Sequence, residues 1–117
     1  MSSHAPIYKL TPRSAWLEAE QAGRFEGAPV DLADGYIHFS TGAQVRETAR
    51  RHFAGETALL MVAVDPAILG DALRWEPSRG GDLFPHLYGP LPLDAVLYAE
   101  DVPIGADGVH LFPASVQ

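Results

Sequence analysis

The residues best suited to chemistry fall in three short stretches: Asp34-Gly35-Tyr36-Ile37-His38-Phe39-Ser40-Thr41, Leu73-Arg74-Trp75-Glu76 and Leu83-Phe84-Pro85-His86-Leu87-Tyr88-Gly89. Imidazole exchanges protons near neutral pH, and a carboxylate beside it can orient it or stabilise a positive charge that develops nearby. His38, Glu76 and His86 are therefore the candidates for catalysis. Tyr36, Ser40, Thr41, Arg74 and Tyr88 are the candidates for holding a ligand. Two imidazoles and a carboxylate could also form an open metal triad, but no His-X-His or His-Glu-X-X-His spacing supports one, and no metal is assigned.

The elements that must position these groups follow from local pattern. Asp34-Gly35 supplies the positive backbone angle of a tight turn, and the strand after it alternates. Ile37 and Phe39 point to the core, while Tyr36, His38 and Ser40 point to a groove. Ser40 or Thr41 then stands as N-cap before a helix, which sets His38 beside a helix N-terminus whose free N–H groups favour an anion. That helix carries Val45, Ala49, His52 and Phe53 on one face and ends at Gly55. Residues 73–76 form a brief strand closed by Pro77, with Arg74 and Glu76 on one face and Leu73 and Trp75 on the other. Phe84, His86 and Tyr88 share a face, and Pro85 marks an edge or irregular strand.

The rest of the chain is scaffold. Residues 7–10 read as a strand, with Thr11 as N-cap and Pro12 in the first turn of a helix that buries Ala15, Trp16, Ala19 and Ala22 and stops at Gly23. Residues 24–33 read as loop or ragged strand. Residues 57–64 are apolar without alternation, the pattern of a strand covered on both faces at the centre of a sheet. Asp65-Pro66 turns the chain into one helical turn over 67–69, which Gly70 interrupts. Residues 78–82 are loop, Pro90 and Pro92 punctuate a linker, and a strand follows over 95–102. Ala106-Asp107-Gly108 turns into an extended segment over 109–112. Trp16 and Trp75 read as packing residues, and His4, His52 and His110 as surface or helix-face residues. At the surface Glu76 could pair with Arg74 or Arg79, a bridge worth at most about 1 kcal/mol.

Composition sets the bounds. The chain has 117 residues, 47% of them hydrophobic, and one core is the expectation at this size. The formal charge of -7, without a cluster of basic residues, argues against nucleic acid as a partner. No cysteine is present, which fits a reducing compartment. Residues 1–6 show neither a signal peptide nor a membrane span, so a soluble cytoplasmic protein is expected.

In this order, Ile7-Tyr8-Lys9-Leu10 and the three stretches above resemble the small bacterial family catalogued as domain of unknown function 952, over residues 6–102. The resemblance implies one α+β domain spanning 1–117, with 103–117 as a C-terminal extension. It implies small mixed or antiparallel sheets, two main helices and an ADP-ribosyltransferase-like fold, whose cleft in the enzymes holds nicotinamide dinucleotide. In many of those enzymes a His holds ribose, a Tyr stacks on nicotinamide and a Glu stabilises the developing cation. His38, Tyr88 and Glu76 could take these roles by residue type. The sequence departs from the enzymes in lacking a Glu-X-Glu pair and an Arg-Gly-X-Ser-X-His run. The expected function is therefore binding of a small ligand, a nucleotide or NAD-like compound, with His38, Ser40 and His86 holding an anionic group. The alternative is an enzyme acting on the glycosidic bond of such a nucleotide. The cofactor, apart from the possibility of NAD, and the oligomeric state stay open.

Overall fold

The computed structural model describes residues 5–116; Met1 to His4, Gln117 and the side chain of Arg79 lie outside the described residues. In chain order the elements are β1 (Ile7–Pro12), α1 (Arg13–Ala22), β2 (Arg24–Phe25), α2 (Pro29–Asp34), β3 (Ile37–His38), β4 (Ser40–Thr41), α3 (Val45–His52), β5 (Leu59–Val64), α4 (Pro66–Leu69), β6 (Leu73–Pro77), β7 (Leu83–Leu87), β8 (Leu91–Pro92) and β9 (Val96–Asp101). Short 3-10 turns at Gly70–Ala72, Arg79–Gly81 and Leu93–Ala95 link some of them. One sheet runs β4-β1-β5-β9, a second β3-β7-β6, and β2 pairs with β8. Every ladder is antiparallel. The architecture is mixed α+β with antiparallel sheets and few helices.

Strand β5 explains the layering, because all six of its residues are buried. Leu59, Met61 and Ala63 pack with Tyr8 and Leu10 against Val45 and Ala49 of α3. Leu60, Val62 and Val64 face the other way, onto Trp16 and Ala19 of α1, onto Ile37 and Leu87 from the three-stranded sheet and onto Phe39 beside it. A strand clothed on both faces has no polar face to show, as the uninterrupted apolar run requires. Helix α1 stops where expected: Gly23 adopts φ 87° and its N–H reaches the Ala19 carbonyl at 2.9 Å.

Several local expectations are corrected. Thr11 is not a helix cap. It stays in β1, paired with Leu60, because the ladder to β5 continues through Pro12. Residues 29–34 are helical rather than loop: Pro29 presets the first turn, and the Asp31 carboxylate accepts from the Ala28 N–H at 2.7 Å. Gly35 does take a positive φ of 87°, but as the left-handed C-cap of α2 and not as a hairpin turn. Neither Ser40 nor Thr41 caps α3, whose flanking residue is Gln44. Instead the Ser40 hydroxyl pairs with that of Thr48 at 2.9 Å, and the Thr41 N–H donates to Gln44 Oε1 at 3.0 Å.

Pro85 sits in the central strand of its sheet, not at an edge. The Pro85 carbonyl accepts from the Phe39 N–H at 3.0 Å, so its nitrogen faces the same way, toward the point where the chain leaves β3 for the other sheet. The missing donor therefore falls where the ladder is ending. Trp75 is not core; it is 46% exposed on β6, an edge strand. His110 is buried rather than on the surface, its Nε2 2.9 Å from the Glu56 carbonyl.

Candidate functional site

Strands β3 and β7 set the two imidazoles opposite one another, edge to face. Ile37 pairs with Leu87 and His38 with His86, and the two ring centroids stand 5.6 Å apart. Tyr36, one step before β3, closes over both. Its ring centroid lies 4.2 Å from His86, 4.6 Å from His38 and 5.2 Å from Tyr88. The chain then changes sheets at Phe39, since β3 pairs with β7 whereas β4 pairs with β1. Alternation survives the crossing: Ile37 and Phe39 are buried in the core, Tyr36, His38 and Ser40 line a cavity, and of the core pair only Phe39 also touches it.

This cavity measures about 510 Å³. Tyr36, His38 and His86 meet it from the three-stranded side, Lys9 and Leu10 from β1, and Ser40, Thr48, His52 and Phe53 from the α3 side; Phe39, Phe84, Val30, Asp34 and Ser78 also contribute. Of the residues singled out by sequence, it brings together Tyr36, His38, Ser40 and His86. Thr41, Arg74, Glu76 and Tyr88 do not line it. Residues 44–47 at the α3 N-terminus do not line it either.

Two hydrogen-bonded networks hold the histidines. The inner one centres on Asp31, which is fully buried. Both its oxygens receive the Lys9 ammonium, at 2.9 and 2.8 Å, and it accepts from the backbone N–H of Ala28 and of His38. His38 Nδ1 lies 2.6 Å from Asp31, and its Nε2 lies 2.9 Å from Asp34. Burial by itself would raise the Asp31 pKa. The His38 hydrogen bond, the Lys9 charge and hydrogen bond, and the His38 backbone N–H outweigh it and hold the carboxyl down at about 2. Burial pulls Lys9 below its ordinary range, and Asp31 offsets part of that fall.

The outer network centres on Glu76. A single oxygen, Oε1, lies 2.7 Å from His86 Nδ1 and accepts from the Tyr88 hydroxyl at 2.8 Å. Arg74 lies over the Tyr88 ring, 4.9 Å from its centroid. The His86 and Tyr88 hydrogen bonds push the Glu76 pKa down against a burial effect that raises it. The Glu76 hydrogen bond in turn raises that of Tyr88, helped by burial. Burial and the charges of Asp34 and Glu76 raise Tyr36.

Sequence reasoning passed over Lys9, Asp31 and Asp34. Lys9 carried a usable signal, because a charge between Ile7 and Thr11 on the inward face of a strand needs a buried partner. Asp31 carried another, as an acid two residues after a proline at a helix start. His52 lies on α3 as expected, whereas Phe53, expected on the same helix face, is the non-helical residue that follows it; the cavity that both border was not visible. Among the described residues, no group of three His, Asp or Glu side chains is arranged to hold a metal ion, and no helix is long and apolar enough to cross a membrane.

Antiparallel sheets around a cavity walled by paired histidines define a small mixed α+β protein with few helices. Residues 10–99 match the family described as "Protein of unknown function (DUF952)", and the chain belongs to that family. The crystal structure of protein CC0527 from Caulobacter crescentus is similar to it, 48% identical with a TM-score of 0.88, over 92% of this chain and 94% of that one. The solution NMR structure of CC0527 gives 50% identity and a TM-score of 0.80, over 89% and 90%. No curated protein matches the chain.

Proposed function

We propose that this protein binds a small metabolite with a planar ring in the cavity beside His38 and His86. In the finer reading, prompted by the resemblance to ADP-ribosyltransferases, the ligand is a nucleotide or NAD-like compound. The observation that carries the proposal is convergence: two imidazoles and Tyr36 meet on a cavity of about 510 Å³, within the roughly 300–1,000 Å³ of small-molecule sites. Tyr36, His86 and Phe84 supply ring and edge contacts, and Arg74 with Tyr88 would meet parts of the ligand extending outside. Titrating a nucleotide panel that includes NAD, read by calorimetry and thermal shift, tests it. A genuine ligand at a hundredfold excess over Kd stabilises the fold by about 2.7 kcal/mol. Absence of heat and of any shift across the panel would retire the proposal.

A second reading has one observation in its favour. Glu76, His86 and Tyr88 form one hydrogen-bonded set, the residue types that act on a nicotinamide glycosidic bond in the enzymes. In this reading Glu76 is the anion that stabilises an oxocarbenium-like charge, with His38 and His86 as its catalytic neighbours. Its weakness is that Glu76 stands behind His86 rather than on the cavity wall. An assay for nicotinamide released from NAD between pH 5 and 9 decides it, since release no greater than that of a Glu76→Gln control removes the enzyme reading and leaves binding intact.

A further inference from the structure

We infer that the cavity recognises its ligand by accepting hydrogen bonds, so that it takes an uncharged planar heterocycle bearing N–H or O–H donors and draws no affinity from a phosphate. Resting on the binding reading above, this names the chemical class of the group that enters.

The tautomer of His86 comes first. Its Nδ1 faces Glu76 Oε1 at 2.7 Å, and the same oxygen already accepts from Tyr88. An ionised carboxylate only accepts, so the proton between the two belongs to Nδ1, and the neutral ring keeps its lone pair on Nε2. Nε2 lies across the ring from Glu76. His86 borders the cavity whereas Glu76 does not, which leaves Nε2 as the nitrogen a ligand can meet.

The donors nearest the two imidazoles are committed to partners within the protein. The Lys9 ammonium is given to both oxygens of Asp31. Both nitrogens of His38 face carboxylates, and the Ser40 hydroxyl is shared with Thr48. Asp34 adds a half-exposed carboxylate to the wall. A phosphate entering beside the imidazoles would meet the Asp34 carboxylate and the Nε2 lone pair, while Lys9 and His38 already face carboxylates of the protein, so its desolvation is poorly compensated. A flat ring with donors at its edge would meet acceptors there and aromatic faces elsewhere.

The test uses the full chain at pH 7.5, with adenosine and nicotinamide as uncharged probes and adenosine 5′-monophosphate and inorganic phosphate as charged ones. Calorimetry should show at least one uncharged probe binding, and adenosine monophosphate no tighter than adenosine. Nitrogen NMR of the His86 ring should show the proton on Nδ1. Glu76→Ala should redistribute that proton and weaken the uncharged probe about fivefold to tenfold. Glu76→Gln, whose amide oxygen still accepts from Nδ1 and Tyr88, should preserve both. Tenfold tighter binding of the monophosphate, or of phosphate alone, overturns the inference while leaving the binding proposal standing. So does a wild-type His86 ring carrying its proton on Nε2. Failure of all four probes together with the nucleotide panel overturns both.

Discussion

His38 and His86 occupy partner positions on adjacent strands, yet their surroundings differ in kind. His38 is gripped at both nitrogens, by Asp31 and by Asp34, and Asp31 is itself sealed in the core with Lys9. Among the described residues His86 is held at one nitrogen, by a Glu76 that is partly open to solvent. The first arrangement anchors α2 to β1 and to β3; the second orients a ring and leaves one of its atoms unused. The same residue type, on the two strands of one rung, is thus locked into the core network in one place and keeps a ring nitrogen on the cavity side in the other.

The sharpest way to break that contrast is to remove the inner carboxylate. Asp31→Ala strands a buried ammonium and two backbone N–H groups, and should cost about 3–5 kcal/mol in a urea melt. Glu76→Ala should cost far less by the same measurement. A Lys9→Met, Asp31→Leu pair should recover much of the loss, because replacing both charges removes the uncompensated one.

Acid provides the next test. Asp31 titrates at about 2 in the folded chain against an ordinary 3.8, so it lends stability that is complete above the ordinary value and is lost as pH falls through the folded one. The expected loss is about 2 kcal/mol, read as a falling urea midpoint between about pH 5 and 2. Asp31→Asn should flatten that part of the curve. A curve unchanged by Asp31→Asn would mean the inner network is not the anchor described.

Smaller effects sharpen the boundary between the two networks. Gly35→Ala forces a side chain into φ 87° at the end of α2 and should cost about 1 kcal/mol, with a detectable change in the His38 ring signals and little in those of His86. Trp75→Ala, at an exposed site on the opposite face of β6 from Glu76, should stay within about 0.5 kcal/mol of wild type.

Much of this layout was legible because its signals are local. The apolar run of β5, the glycine stop of α1 and the shared face of Phe84 and His86 each follow from a few adjacent residues. The convergence of His38 with His86 was an expectation that the ladder between β3 and β7 realises. What escaped was non-local. Alternation across residues 36–40 looks the same whether a strand keeps one partner or changes it, so the sheet crossing at Phe39 left no trace. Parity puts Leu73 and Trp75 on one face of β6 but does not say where the cover ends, and of the two Leu73 packs against the core while Trp75 is exposed. Helix α2 is six residues long, too short for periodicity to declare itself, and with it went Asp31. Pro85 was read by a rule about missing donors that holds only where a neighbouring strand would have needed the bond.

The crossing at Phe39 also imposes a rule on chain length. A single residue separates the rung that carries His38 from the rung that carries Ser40, and there is no spare backbone to absorb an insertion. One extra residue between them would reverse the outward and inward sense of everything on one side of it, so the imidazole could face the pocket only if the hydroxyl turned away. Substitutions at this junction are open to drift, whereas changes in length are closed to it.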